Sequence, residues 1–387
     1  MRAHAAHPHQ HHFDVGLFLH SRVLPFVKKN AVLLIALCAA LITSFIVPPD
    51  KAYLGYFDWK TLTCLFCVLA VVCALKNIRF FFFLAQKIVR AFKNARACVL
   101  ALAYVTFIGS MLIANDMALL TFLPLGYFVL SSTGKKKYMA FTFIMQNIAA
   151  NLGGMLTPFG NPQNLYLYTK FAIPTGEFML IMLVPFLISV ALITVCCFLF
   201  VKKEELTIEE EKITLPLWRT VVYGVLFALS IVIVFRVIPF WIGLIVIPIV
   251  LLFLDRNALG KVDYGLLLTF MAFFIFSGNM AQISGVQRVF GNLMNKNALL
   301  VSTLSCQVIS NVPSAILLSQ FTGNYKALLL GVNIGGCGTL ISSLASLITF
   351  REYTTHTPGG AKKYILLFSA FNFAFLGILL GACALLL

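Results

Sequence analysis

One acidic residue stands apart from the other twelve in this chain. Asp116 lies inside a long apolar segment, whereas the other acids lie in tails, in loops or at the ends of apolar runs. A carboxylate in a hydrophobic setting is costly and marks a candidate functional site. No Lys or Arg lies in the polar motifs described below, so Asp116 must bind a proton, bind a cation or cap a helix. The first two roles would couple ion movement to transport, and the third is structural.

Two polar motifs of the same pattern lie in the two halves of the chain. The first, Asn-Leu-Gly-Gly-Met-Leu-Thr at 151–157, aligns without a gap with Asn-Ile-Gly-Gly-Cys-Gly-Thr at 333–339. Seven positions contain four identities and one Leu/Ile exchange. Glycines here would either let backbone approach an ion or permit close helix packing. Because the pattern recurs at equivalent places, we assign four of its residues to one shared site: Gly154, Gly336, Thr157 and Thr339.

Residues that favour helix starts follow these motifs. Asn161-Pro162 is typical of an N-cap followed by a first-turn proline, and Ser342-Ser343 offers an N-cap in the second half. Asn311 with Pro313 has the same pattern. Four helix N-termini would then converge on one volume, and their partial positive charges and free N–H groups favour an anion. The polar side chains around them would either supply oxygens to a sodium ion or bond between helices: Asn161, Asn164, Ser343 and Ser346.

The composition indicates the class of protein in which these residues lie. The chain has 387 residues, of which 60% are hydrophobic and 11% charged, and a formal net charge of +16. Soluble domains carry about 25% charged residues, so the values exclude a soluble enzyme, a disordered chain and a nucleic-acid-binding domain. The basic residues lie in short segments between apolar runs, as in a multi-pass membrane protein.

A helix needs about 20 apolar residues to cross the hydrocarbon core of a bilayer. Seven runs qualify, some only with tilt: 31–48, 60–83, 176–201, 217–238, 240–254, 264–283 and 364–386. Four further segments are equally apolar but interrupted by Asn, Gly, Pro and Ser: 97–132, 137–171, 297–324 and 326–350. We therefore predict an all-α polytopic membrane protein with two inverted-topology repeats. Each repeat has a re-entrant helical hairpin and a broken transmembrane helix.

The predicted organisation has five parts: a cytoplasmic N-terminal tail at 1–30, a first transmembrane repeat at 31–201, an acidic cytoplasmic linker at 202–216, a connecting transmembrane helix at 217–239 and a second, inverted repeat at 240–387. Nine basic residues flank the first hairpin and three flank the second. By the positive-inside rule the first hairpin enters from the cytoplasm and the second from outside. Nine crossings place the N-terminus in the cytoplasm and the C-terminus outside, in the cell (inner) membrane.

Four segments resemble the ion transporter superfamily, which includes arsenite permeases, citrate permeases, divalent-anion/sodium symporters and one type of sodium/proton antiporter. They are Asn-Asp-Met-Ala-Leu-Leu-Thr (115–121), Leu-Thr-Pro-Phe-Gly-Asn-Pro-Gln-Asn (156–164), Ser-Asn-Val-Pro (310–313) and Gly-Thr-Leu-Ile-Ser-Ser-Leu-Ala-Ser (338–346). The resemblance covers about residues 31–387. The symporters carry Ser-Asn-Thr at both hairpin tips, and the Asn-Asp tip here is more similar to the arsenite permeases.

The resemblance implies a homodimer of two inverted repeats. It also implies which residues bind substrate and ion: Asn115, Asp116, Thr157, Asn161, Asn164, Ser310, Asn311, Thr339, Ser343 and Ser346. A sodium ion would lie near Asn115, Asp116, Asn161 and Asn311. Its partners would be a small anionic substrate, a coupling cation and the lipid bilayer, with no nucleic acid.

We therefore expect an ion-coupled secondary transporter that moves a small anion, an inorganic oxyanion or a carboxylate, by alternating access. The coupling ion is a proton or sodium, and no other cofactor is expected. The alternative is a sodium/proton antiporter of the same superfamily. An intramembrane hydrolase needs a nucleophile paired with a base, and no second buried acid or membrane His accompanies Asp116. We therefore expect no enzymatic activity, and two broken-helix repeats disfavour a passive channel.

Overall fold

A computed structural model describes residues 31–206 and 212–387, and every regular element in these ranges is helical. The predicted N-terminal tail and five residues of the acidic linker, 207–211, lie outside the described residues. The first half contains eight α-helices: α1 Ala31–Ile46, α2 Trp59–Asn77, α3 Phe80–Arg90, α4 Ala95–Leu112, α5 Asn115–Ser132, α6 Met139–Gly153, α7 Pro162–Lys170 and α8 Thr175–Phe200.

A connecting helix and eight further helices follow: α9 Leu217–Val234, α10 Phe240–Leu254, α11 Arg256–Gly260, α12 Tyr264–Gln282, α13 Ser284–Ile309, α14 Asn311–Leu318, α15 Tyr325–Ile334, α16 Leu344–His356 and α17 Ala361–Ala384. Six helices among the described residues are long and apolar enough to cross a membrane: α2, α4, α8, α9, α12 and α17. Three shorter helices, α1, α10 and α15, are also apolar. The prediction of a helical, multi-pass membrane protein is confirmed.

The helix boundaries follow the sequence pattern closely. All seven uninterrupted apolar runs are helical, although the run at 60–83 divides into α2 and α3. The chain turns between these helices at Arg79, whose φ of 59° is left-handed. Each of the four interrupted segments is broken where its polar motif lies. Gly residues lie at the breaks within 137–171 and 326–350, whereas 97–132 and 297–324 break at Ala114 and Ser310, each followed by an Asn.

Matching N-caps begin corresponding helices in the two halves. The side chain of Asp58 accepts from the Thr61 N–H at the start of α2, and Asp263 accepts from the Leu266 N–H at the start of α12. Asn94 caps α4 through the Ala97 N–H in the same way. In the second half α13 kinks at Asn297, whose side chain accepts from the Leu300 N–H. The kink divides α13 into an outer amphipathic part and an inner apolar part.

One group of helices packs beside the polar motifs. In it α1 packs against α12, and α2 packs against α9 and α10. Helices α1 and α2 of the first half thus contact α12 and α10 of the second half. Buried polar bonds are few here, one being from Asn279 Nδ2 to Thr43 Oγ1 at 3.2 Å. Apolar packing therefore dominates this group, and the broken segments form a separate polar centre.

A glutamate at each end of α8 bonds to a neighbouring segment, the start of α15 at one end and the turn before α6 at the other. Glu177, in its first turn, accepts from the Tyr325 hydroxyl at 2.8 Å and pairs with Lys326 at 3.2 Å. Beyond its last turn, the Glu204 carboxylate accepts from Lys135 and Lys137. These basic groups and the Tyr138 hydroxyl lower the pKa of Glu204 to about 2. The first residues of the acidic linker are therefore docked rather than extended.

Candidate functional site

The tip of the first helix pair is built around Asn115. Helices α4 and α5 are joined by only Ile113 and Ala114. The Asn115 backbone N–H donates to the Gly160 carbonyl at 3.2 Å, and its side-chain oxygen accepts from the Asp116 N–H at 2.9 Å. Its Nδ2 donates to Asn151 Oδ1 at 3.1 Å. One side chain thus closes the tip and connects it to the first polar motif.

The second tip repeats this geometry. The Asn311 N–H donates to the Ser342 carbonyl at 2.9 Å, and Asn311 Oδ1 accepts from the Val312 N–H at 2.9 Å. The hydroxyl of Ser310 also donates to the Ser342 carbonyl, at 3.3 Å. The prediction that Asn311 is the N-cap was wrong by one residue. Ser310, with a φ of 73°, occupies the cap position, because the Asn311 backbone is already helical.

Each predicted threonine connects its break to the neighbouring helix pair through a hydrogen bond. Thr157 Oγ1 donates to the Met111 carbonyl at 2.7 Å, and Thr339 Oγ1 donates to the Gln307 carbonyl at 3.0 Å. Met111 and Gln307 lie four residues before Asn115 and Asn311, so the two bonds are equivalent. In the second half Gln307 also donates to the Gly335 and Cys337 carbonyls. Both threonine hydroxyls therefore have a structural bond.

The two predicted glycines lie where neighbouring atoms leave little room for a side chain, and the space is tighter at Gly154 than at Gly336. A Cβ on Gly154 would lie 2.4 Å from Asn161 Oδ1 and 2.8 Å from the Gly160 carbonyl oxygen. A Cβ on Gly336 would lie 3.2 Å from the Asn333 carbonyl oxygen and 3.3 Å from Asn311 Nδ2. Neither glycine has a left-handed φ. Space, not backbone conformation, explains why these two positions hold glycine.

A buried hydrogen-bond network joins the two halves. Ser343 Oγ donates to Asn151 Oδ1 at 2.8 Å, although 192 residues separate them. Asn333 receives a bond from Asn161 Nδ2 at 3.3 Å and donates to Asn164 Oδ1 at 2.6 Å. All five side chains are at most 2% exposed. Buried polar groups of this kind specify one arrangement of the segments that carry them.

Asn151 and Asn333 were missing from the predicted site, yet they are its centre. Each begins one of the repeated motifs, and each bonds to a residue of the other half. Asn147, one turn before Asn151, was also missed and lies 3.4 Å from Ser346 Oγ. The alignment of the motifs contained the signal for the first two, because Asn is one of the four identities.

The helix starts beyond the breaks differ from each other. Ser343 caps α16 as predicted, since its Oγ accepts from the Ala345 N–H at 3.3 Å. The prediction of Asn161 as the N-cap residue and Pro162 as a first-turn proline is confirmed in position, but the Asn161 side chain makes no bond to the α7 backbone. Its Nδ2 donates instead to the Asn151 carbonyl in the same half and to Asn333 Oδ1 in the other half.

Asp116 lies in the first turn of α5 beside this network. Its backbone N–H is bound by Asn115, but no backbone N–H donates to its carboxylate. Oδ1 is buried and has no hydrogen-bond partner among the described residues. The structure thus gives no capping role to Asp116. Two other buried site atoms, Asn151 Nδ2 and Asn161 Oδ1, also lack a partner in the described part of the chain.

The structure brings the predicted site residues together unevenly. Ten of the twelve residues form the two tips and breaks, through the hydrogen bonds and close contacts described above. The Ser346 side chain bonds to Asn147. The Asp116 carboxylate makes no hydrogen bond to any of these amides. The four helix N-termini are linked: Asn115 N–H to Gly160, Asn311 N–H to Ser342, and Ser343 to Asn151. Among the described residues no three His, Cys, Asp or Glu side chains form a metal cluster. A sodium ion would therefore depend on amide, hydroxyl and carbonyl oxygens and on the Asp116 carboxylate.

Apolar helices long enough to span a bilayer, with broken segments meeting in a buried polar centre, define a multi-pass membrane transport protein. The profile of the CitMHS family, described as a citrate transporter, matches residues 16–325. The chain belongs to this citrate transporter family.

Two curated relatives are similar over most of their length. An uncharacterized transporter of Methanocaldococcus jannaschii is 34% identical over 299 residues, which cover 76% of this chain and 81% of the relative. The inner membrane protein YbiR of Escherichia coli is 29% identical over 323 residues, which cover 80% of this chain and 84% of the relative. Membership of a membrane transporter family agrees with the resemblance found in the motifs.

Proposed function

We propose that the protein is an ion-coupled secondary transporter that moves a small anion, an inorganic oxyanion or a carboxylate, by alternating access. The observation that carries this proposal is the hydrogen bonding of the first broken segment to the second, from Ser343 to Asn151 and from Asn161 to Asn333. A site assembled from both halves changes its exposure when one half moves relative to the other. The family match supports a transported carboxylate, since its profile is described as a citrate transporter.

The proposed arrangement is two inverted repeats, α1–α8 and α10–α17, joined by α9. The equivalent tips, breaks and N-caps support the repeat. In this arrangement the pairs α4–α5 and α13–α14 are re-entrant hairpins that enter from the cytoplasm and from outside. Breaks in membrane helices persist only where they are buried in protein or line an aqueous cavity. The buried network around both breaks fits that requirement.

The anion would bind beside the helix starts at Asn115, Asn311 and Ser343, whose partial positive charges point toward the centre. Asn151 Nδ2 is a buried donor there that has no hydrogen-bond partner among the described residues. Helix N-termini favour negative charge, and backbone N–H groups bind carboxylate and oxyanion oxygens. Asn161 Oδ1, a buried acceptor, would bind a hydroxyl or protonated oxygen of the substrate or the coupling cation.

Asp116 is the proposed coupling residue. Its carboxylate receives no capping bond, so a proton or a sodium ion is left as its partner during transport. We expect Asp116→Asn to abolish gradient-driven accumulation while folding is kept, because Asn cannot gain or lose a proton. Asp263→Asn is the matched control: its carboxylate caps α12, and Asn caps a helix as well as Asp does.

The measurement is uptake of citrate, succinate and phosphate by proteoliposomes under an imposed proton or sodium gradient. Wild type and Asp263→Asn should accumulate one of these anions, and Asp116→Asn should not. Accumulation by Asp116→Asn at the wild-type rate and level would show that the coupling role is wrong. Sodium-driven proton movement without any anion would instead support the alternative, a sodium/proton antiporter that uses the same carboxylate.

A further inference from the structure

We propose that helix α8 is a brace that fixes the two broken helices, α6 and α15, relative to each other, and that Glu177 and Glu204, one at each end of α8, are positioning residues for the central site. This inference rests on the proposed function and adds to it how the two halves of the site are kept in register. Glu177 lies in the first turn of α8, and Glu204 lies four residues beyond its last residue, Phe200. The helix has 26 residues, which corresponds to about 39 Å.

Glu204 binds the segment that leads into α6. Its carboxylate accepts from the Tyr138 hydroxyl at 2.8 Å and from Lys137 at 2.6 Å. A third bond comes from Lys135, at 2.8 Å. Tyr138 directly precedes α6, and both lysines lie in the turn between α5 and α6. Three donors on one carboxylate form a network, which contributes more than an isolated ion pair at a surface.

Glu177 binds the start of α15 through the same types of side chain. Its carboxylate accepts from the Tyr325 hydroxyl at 2.8 Å and pairs with Lys326 at 3.2 Å. These are the first two residues of α15. In each half, therefore, a tyrosine and a lysine at the start of the broken helix are bound by a glutamate at one end of α8.

Between the two carboxylates, α8 packs through a single buried stripe. Its buried residues recur every three or four positions: Phe178, Met182, Pro185, Ser189, Ile193 and Cys197. The helix contacts α4, α6 and the break at Gly154–Leu156. Apolar packing is non-directional, so it keeps α8 beside these helices without fixing its position along its own axis. The hydrogen bonds of the two carboxylates are directional and fix that position.

The central network depends on where the two broken helices start. Asn151 lies in α6, 13 residues after Tyr138, and Asn333 lies in α15, eight residues after Tyr325. Because each helix continues from its start to the asparagine, a shift of the start along the helix axis moves the asparagine equally. The bonds of these asparagines across the halves measure 2.8 Å and 3.3 Å. A lengthening of about 1 Å takes both outside hydrogen-bond range.

The test compares Glu177→Gln, Glu204→Gln and the double variant with the control Glu205→Gln. Gln keeps the size of the side chain but removes the charge that binds lysine. The Glu204 carbonyl accepts from the Ala95 N–H, a backbone bond that the substitution leaves in place. Glu205 is exposed and forms no ion pair within the described residues, so its substitution changes the net charge alone. KM is measured for uptake of citrate, succinate and phosphate by proteoliposomes.

We expect each single variant to raise KM about threefold, the scale of a partly exposed ion pair. The apparent affinity falls with the fraction of molecules whose two halves are in register. The double variant should also raise KM about threefold, because a brace released at either end no longer fixes the spacing. Glu205→Gln should match wild type, and Glu177→Lys combined with Lys326→Glu should restore the KM that Glu177→Lys alone raises.

Independent local bonds give a different result. Effects at sites this far apart multiply when the sites do not interact. A KM about ninefold above wild type in the double variant would therefore overturn the brace. Unchanged KM in both single variants, or an equal rise in Glu205→Gln, would overturn it as well, while uptake by the wild type would leave the proposed function intact.

A distance measurement tests the brace without transport. Spin labels are attached to cysteines at Lys136 and Gly323, in a protein without the native cysteines. Both positions are exposed, and a Cβ at position 323 meets no atom within 4 Å. Wild type and Glu205→Gln should give one narrow distance distribution, and each variant at Glu177 or Glu204 should broaden it; equally narrow distributions in all would overturn the brace. If wild type accumulates none of the three anions, the proposed function fails, and this measurement still decides whether α8 holds the two starts.

Discussion

Gly154→Ala tests whether the close approach at the first break determines the site. The Ala Cβ would lie 2.4 Å from Asn161 Oδ1 and 2.8 Å from the Gly160 carbonyl oxygen. Ala fits the helical backbone at position 154, whose φ is −61° and ψ is −13°, so the expected cost is steric alone. Because carbon and oxygen atoms do not approach closer than about 3 Å without strain, the Asn161 side chain must move.

The magnitude follows from what Asn161 would lose. Overpacking in a filled core costs about 1–3 kcal/mol. Moving Asn161 weakens its bonds to the Asn151 carbonyl at 3.2 Å and to Asn333 Oδ1 at 3.3 Å, each contributing about 1 kcal/mol. We therefore expect the free energy of unfolding to fall by about 2–4 kcal/mol. Transport should fall at least tenfold, since the displaced amide belongs to the contact between the halves.

The assay measures unfolding in detergent and anion uptake in proteoliposomes on the same preparations. Gly176→Ala is the matched control, because a Cβ at position 176 on α8 meets no atom within 4 Å. This control should be neutral or stabilise by up to about 1 kcal/mol, since Ala favours helix more than Gly does. Adding Asn161→Ala to Gly154→Ala should cost less than the sum of the two single changes. A Gly154→Ala protein as stable and active as Gly176→Ala would refute the reasoning.

Three further predictions address the break, the linker and the orientation. Thr157→Val and Thr339→Val should each lower the free energy of unfolding by about 1 kcal/mol, because a partly buried hairpin carbonyl loses its donor. The Thr→Ser variants should retain wild-type stability in the same detergent assay. The pKa of Glu204 is lowered from 4.5 to about 2, so its contribution to stability is complete above about pH 4.5 and declines as the pH falls toward 2. Glu204→Gln should reduce thermal stability at pH 7 and flatten the loss below pH 4.5, and identical pH profiles would contradict this. Cysteines placed at Lys136 and Lys326, in a protein without the native cysteines, should react with an impermeant reagent from opposite faces of intact cells; reaction of both from one face would exclude inverted repeats.

The sequence by itself determined the class of protein and the places where helices break. Long apolar runs predict membrane helices because lipid leaves no other partner for the backbone. Helix caps such as Asp58, Asp263 and Ser343 are local features, since a side chain bonds to an N–H two or three residues away. The repeated motif was visible in the same way, as a match of residue types at equal spacing.

Only the tertiary structure decided which polar atoms meet. Asn161 occupies the cap position of α7 as predicted, but packing of the second half placed the Asn333 oxygen within reach of its amide, which makes no capping bond. The threonines were expected to face a ligand, yet each hydroxyl donates to a hairpin carbonyl more than 30 residues away. Asp116 has a carboxylate oxygen without a hydrogen-bond partner among the described residues, while its own backbone N–H is bound by the Asn115 side chain. A polar side chain has several possible partners, and it bonds to the one that the packing of the helices brings to about 3 Å. Asn151 and Ser343 are 192 residues apart in the chain, so only the tertiary structure could bring them together.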